Sequence, residues 1–254
     1  MMQVPWSIGR HTLALINIAG STLDVVGALY LAYDLLGGEH GPLRTLTRAV
    51  TYGALYGAGY GIALGPFFGL TAGISHGLTL AWEFSRASRR LPEPGFWRSA
   101  AMSAIRGVGF GVGAAYSFGA TFGVVIGSLS AAGQALAYRA GITPTAHYRA
   151  DGRPRVTRFQ LLAALNRTAG YTAAGYLGSL AAGHRGVAWA LGLRTGLAIG
   201  LVTAIAGAFT PFVEWQADNM PEKRMGVFGV ALILAGFTLQ SLQYWAVVFD
   251  VAVR

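Results

Sequence analysis

Eight apolar runs, parted by arginine-rich segments or short glycine-containing breaks, organise this chain. They are Thr12–Leu36, Thr47–Leu64, Pro66–Phe84, Trp97–Ser117, Phe118–Tyr138, Phe159–Ala182, Val187–Phe212 and Met225–Phe249. A helix needs about 20 such residues to cross the hydrocarbon core of a bilayer, so each run is read as a membrane-spanning helix. The expected fold is an all-α membrane protein of about eight transmembrane helices, a single polytopic domain over 1–254. The second run is short and rich in glycine, and a broken or re-entrant helix is the alternative there. The first run is too long for a signal-peptide core, and no small-residue cleavage site follows it, so it is read as a retained span.

Six glycines recur inside these runs at an offset of 54 residues. Gly53, Gly57, Gly59, Gly65, Gly69 and Gly73 match Gly107, Gly111, Gly113, Gly119, Gly123 and Gly127. Aromatic positions keep the same register: Tyr56 with Phe110, Phe68 with Phe122, Phe84 with Tyr138. In water, so many glycines weaken a helix. In lipid, small residues four apart let helix backbones approach closely. The segments at about 47–86 and 101–140 are therefore read as a duplicated hairpin packed through glycine-zipper faces. The offset covers two crossings, which makes the copies parallel repeats. Gly192, Gly196 and Gly200, with Glu214-Trp215 echoing Glu83-Phe84, point to a diverged third hairpin over 158–217. The first two hairpins are expected to turn at Gly65-Pro66 and at the Ser117-Phe118 junction. Their pattern is similar to the glycine-rich hairpins of several unrelated membrane families, mitochondrial inner-membrane translocase subunits among them; no family-specific motif accompanies it.

Charge then orients the spans. Arg44 and Arg48, then Arg86, Arg89, Arg90 and Arg98, then Arg139, Arg149, Arg153, Arg155 and Arg158, and finally Lys223 and Arg224 all fall in alternate connections. The positive-inside rule makes that face cytoplasmic and puts both termini outside. Arg10, Arg185 and Arg254 sit singly on the outer side, a weak contrary signal. The net charge of +9 is thus read as topology and as contact with anionic lipid headgroups at the cytoplasmic face, not as nucleic-acid binding.

Composition narrows the chemistry. The chain is 54% hydrophobic and 11% charged, where a soluble domain carries about 25% charged residues. It has no cysteine, hence no disulfide, thiolate metal site or cysteine nucleophile. Its one lysine, Lys223, sits in a loop, which excludes a retinal Schiff base inside a helix. There is no phosphate-binding loop or nucleotide fingerprint, and no metal or cofactor is expected. Gly73-Ile74-Ser75-His76-Gly77 has the GxSxG spacing of a hydrolase elbow, but it lies in a membrane helix rather than a strand-turn-helix. An enzyme is not expected.

Six charged residues are candidates for transport or inter-helix pairing. Asp24 lies near the middle of the first span, where an ionised carboxylate costs about 2.5–3.5 kcal/mol on insertion scales. Arg106, Arg167 and Arg194 lie several residues inside spans four, six and seven, within reach of an acidic partner such as Asp24. Glu83 and Glu214 lie near the cytoplasmic ends of spans three and seven, as Asp34 does for span one, with pairing to adjacent loop arginines as the plain expectation. Pro211, one turn before Glu214, is expected to kink span seven. The leading functional expectation is a channel or secondary transporter for an ion or small solute, in a bacterial cell membrane. The alternative is a structural or accessory subunit, packing as a homo-oligomer or against partner subunits through its glycine faces.

Overall fold

The computed structural model describes residues 7–35, 44–88, 95–140, 158–219, 222–249 and 252–253. Among them are eight α-helices: α1 (Arg10–Leu35), α2 (Arg44–Leu64), α3 (Pro66–Ser88), α4 (Phe96–Phe118), α5 (Ala120–Arg139), α6 (Arg158–Ala181), α7 (Ala188–Asn219) and α8 (Glu222–Val248). Ser7–Ile8 and Ala252–Val253 form a two-residue parallel pairing. Four helical stretches are long and apolar enough to cross a membrane: Arg10–Leu35, Ala120–Arg139, Arg185–Phe209 and Arg224–Val248. Residues 141–157, most of the longest basic loop, lie outside the described residues.

Helix α2 runs unbroken for 21 residues, about 31 Å at 1.5 Å per residue, so its glycines do not interrupt it. The α2–α3 turn falls at Gly65, with φ 113°. The α4–α5 turn falls at Gly119, one residue beyond the expected Ser117-Phe118 junction, with φ 96° and ψ 157°. That backbone region is nearly closed to residues with a Cβ, so the break comes at the glycine and Phe118 stays helical. Helix α7 continues through Pro211 to Asn219.

The chain divides into two compact units, residues 1–47 with 218–254 and residues 48–217. The first is built on α1 and α8. Their pairing is antiparallel: Gly20 meets Gly236 and Gln240, and Gly27 meets Gly229 and Ile233. Asn17 Nδ2 donates to Gln243 Oε1 at 2.9 Å, and the Gly226 backbone N–H donates to Asp34 Oδ2 at 3.2 Å. Asp34 thereby accepts from a backbone N–H near the start of α8, where an acidic group is favoured by the helix dipole.

The second unit holds α2 to α7 in a closed circuit. A methyl group on Gly73 would lie 2.6 Å from the Gly53 carbonyl oxygen, and one on Gly107 would lie 2.6 Å from that of Gly127. Gly57 meets Gly69, and Gly111 meets Gly123, in the same two helix pairs. Gly109 rests on Ser75 and Thr71, which joins α3 to α4. Gly178 rests on Phe122, which joins α5 to α6. Gly196 and Gly200 pack on Thr172 and Thr168, which joins α6 to α7, and Gly59 meets Val202, which returns α7 to α2. The interior is filled by Tyr52, Tyr56, Tyr60, Phe68, Phe110, Phe122, Ile126 and Ile199. The outer faces carry Ile62, Leu70, Ile74, Val108, Val124, Leu136 and Leu201, all exposed.

Candidate functional site

Helical spacing puts the polar side chains of the second unit on its inner faces. On α3, His76, Thr79 and Glu83 follow at three and four residues, on one face below Phe68 and Ala72. On α5, Ser130 and Gln134 continue the four-residue row Phe122-Ile126. On α4, Arg106 stands one turn from Phe110 and is 3% exposed. Arg167 and Tyr171 follow at four residues on α6.

Arg106 is the hub. Its Nε donates to Thr79 Oγ1 at 2.6 Å, its Nη1 to Gln134 Oε1 at 3.1 Å and its Nη2 to Glu83 Oε2 at 2.5 Å. The Glu83–Arg106 ion pair is buried on both sides, with side chains 4% and 3% exposed. Thr79 passes its own proton to the Ser75 carbonyl at 2.7 Å. Gln134 Nε2 donates to Ser130 Oγ at 3.4 Å, and Ser130 bonds the Tyr171 hydroxyl. A hydrogen-bonded chain thus links Glu83 of α3, Arg106 of α4, Gln134 and Ser130 of α5 and Tyr171 of α6. Such a chain is strong because its charged members are paired and hydrogen-bonded away from water.

Buried acceptors on α3 include two without a hydrogen-bond partner among the described residues. Glu83 Oε1 and His76 Nε2 are both buried and unbonded. His76 Nδ1 lies 2.9 Å from the Ala72 carbonyl, which only accepts, so Nδ1 carries the ring proton and Nε2 keeps its lone pair. The ring is boxed by aromatics, with centroids 4.9 Å from Tyr56, 5.4 Å from Tyr60 and 5.2 Å from Phe110.

The other sequence candidates fall elsewhere. Asp24 is half-buried in the first unit, where Gln240 Nε2 donates to its Oδ2 and its Oδ1 lies against Gly236. Arg167 is half-buried and donates to Thr203 Oγ1 at 3.3 Å. Arg194 is exposed on α7. The side chain of Glu214 lies outside the described residues. Glu83 differs from its expected pairing with loop arginines. Arg106 stands level with Thr79, and its long stem carries the guanidinium one turn further, to Glu83. Thr79, Gln134, Ser130 and Tyr171 do not stand out in the sequence, and His76 does so only within the GxSxG spacing of Gly73–Gly77. The four-residue rows on α3 and α5 are the available signal, since they extend the aromatic positions that face inward.

Apolar side chains cover the outer faces of the second unit, while its aromatic interior also holds an ion pair. Together with four helices of membrane-crossing length and apolarity, these features suit an all-helical protein embedded in a membrane. Comparison with protein-family models, curated proteins and solved structures found no match.

Proposed function

We propose that the protein is a multi-pass cell-membrane protein that moves an ion or a small solute, and that the Glu83–Arg106 pair with its hydrogen-bonded chain is the site. The observation that carries this reading is a charged network held inside a bundle whose outer faces are apolar. Charges at membrane depth are expensive, face the bundle interior and mark ion or substrate pathways. In this reading all eight helices span, the basic loops face the cytoplasm and contact anionic headgroups, and both termini are outside. Exposed aromatics near helix ends support the spans: Phe96 and Trp97 open α4, Trp189 opens α7, and Trp245 closes α8.

We also read α2–α3 and α4–α5 as duplicated glycine-zipper hairpins. Burial supports this: Tyr52, Tyr56, Tyr60, Phe68, Ala72, His76 and Leu80 are buried, and so are Arg106, Phe110, Ala114, Phe122, Ile126, Ser130 and Gln134, each 54 residues on. Three members of the polar chain therefore occupy positions that hold Tyr52, His76 and Leu80 in the first copy. α6–α7 is the diverged third hairpin, with Thr168 and Thr172 against its glycines. Asp24 becomes a second candidate, acting within the α1–α8 pair.

The test is flux of monovalent ions and small organic solutes in proteoliposomes of the purified chain, beside Glu83→Gln and Asp24→Asn. Glu83→Gln is expected to lower flux at least tenfold; unchanged flux removes Glu83–Arg106 from the path. A second reading, a structural subunit, is favoured by the filled aromatic interior. It predicts no flux from folded protein and stable co-purification with a partner, lost in Gly69→Leu or Gly123→Leu.

A further inference from the structure

The charged interior leaves one chemical question open: what Glu83 does with its second oxygen. Oε2 is held by Arg106 at 2.5 Å. Oε1 is buried and accepts no hydrogen bond. A carboxylate has about four lone-pair sites and is favoured when several accept donors. An acceptor hidden from water without a donor is costly to leave so. Arg106, which holds Oε2, already spends Nε on Thr79 and Nη1 on Gln134.

We infer that Glu83 is a proton-binding site, taking up a proton on Oε1 and so loosening its ion pair with Arg106. This rests on the transport reading and names its ion class. The step balances simply. A proton joins the carboxylate to give a neutral carboxylic acid, no other bond breaks, and Arg106 remains a guanidinium held by Thr79 and Gln134. Release reverses it, and the ion pair reforms. Glu83 is the one acidic side chain described in this unit. The groups set around it are few. Arg106 of α4 and, farther off, Arg167 of α6 act on it electrostatically. Among the buried polar and titratable side chains of the same unit, α6 also carries Tyr171, α2 carries Arg48, Tyr52, Tyr56 and Tyr60, and α5 carries the neutral Ser130 and Gln134. On α3 itself His76 holds another buried acceptor without a partner, Nε2, two turns away on the same face.

The experiment is infrared difference spectroscopy of the full chain in lipid, titrated from alkaline to acid, with the proton as the sole ligand. The wild type is expected to gain a protonated-carboxyl carbonyl band typical of an apolar site. Glu83→Gln should erase that band, and Glu83→Asp, which keeps the carboxyl group, should shift it. A wild-type spectrum with no such band, or a band that survives in Glu83→Gln, overturns the inference. If Glu83→Gln does not fold, the band shift in Glu83→Asp decides, because an unmoved band assigns it to another acid. Flux is read separately: ion or solute flux without the band removes proton binding and keeps transport, whereas the band without any flux keeps the proton site and removes transport.

Discussion

A guanidinium buried as deeply as that of Arg106 is costly unless the interior of the six-helix unit pairs it with a carboxylate. Glu83 does so, and that dependence can be measured. Breaking a buried pair by removing one partner costs about 3–5 kcal/mol, whereas replacing both with apolar groups of similar volume is often neutral or stabilising. Glu83→Leu is therefore expected to lower stability in detergent by about that amount, and Glu83→Leu/Arg106→Met to recover most of it. Chemical or thermal unfolding followed by circular dichroism reads both. A double variant as unstable as the single one would show that the pair is not a coupled unit. Both residues stand out in the sequence as charges inside apolar runs, but their partnership does not. Pairing depends on the register of α3 against α4, and on a side-chain stem that reaches one helical turn, neither of which periodicity reports. Asp24 is the more conspicuous in the sequence because it is the most central acid in its run. In the structure Gln240, 216 residues away, donates to it, and no local pattern links those two positions.

At the scale of elements, apolar runs and glycine spacing carry most of the legible information. α2 ends at Leu64 as expected, while α3 and α7 outrun their apolar segments to Ser88 and Asn219. Hydropathy marks where a chain fits hydrocarbon, and a helix extends past that limit into polar residues while its backbone bonds continue. The glycine contacts make a finer expectation. A methyl group on Gly61 would meet only distant neighbours, at 3.8 and 3.9 Å, whereas one on Gly73 or Gly107 would face a carbonyl oxygen at 2.6 Å. Alanine improves helix propensity by about 1 kcal/mol at each site, so any difference among them reports packing. Gly61→Ala is expected to be neutral or stabilising. Gly73→Ala and Gly107→Ala are expected to destabilise by similar amounts, since the Gly73–Gly53 and Gly107–Gly127 contacts are the equivalent close approaches of the two proposed copies. Thermal unfolding in detergent checks all three. Equal melting of Gly73→Ala and wild type would remove close backbone approach from the account of α2–α3, and a large mismatch between Gly73→Ala and Gly107→Ala would count against matched hairpins.

For the whole molecule, the reading that unites sequence and structure is the alternation of arginine-rich and arginine-poor connections between helices. In the proposed topology it sets Gly95, ahead of α4, on the cytoplasmic side and Gly186, in the 3₁₀ turn Arg185–Val187, on the outer side. Both glycines are exposed, and a side chain at either meets nothing within 4 Å. The chain contains no cysteine, so a single introduced thiol gives an unambiguous signal. In intact cells a membrane-impermeant maleimide is expected to label Gly186→Cys and to leave Gly95→Cys unlabelled until the cells are lysed. Neither substitution touches Glu83, Arg106 or the glycine contacts, so accessibility is read on an undisturbed fold. The reverse pattern would place the basic loops outside, against the positive-inside rule, and with them the end of the bundle nearest Glu83. Labelling of both in intact cells would mean that α4 to α6 do not carry the chain across an odd number of times, and the eight-span topology would fall while the hydrogen-bonded interior of the six-helix unit stood.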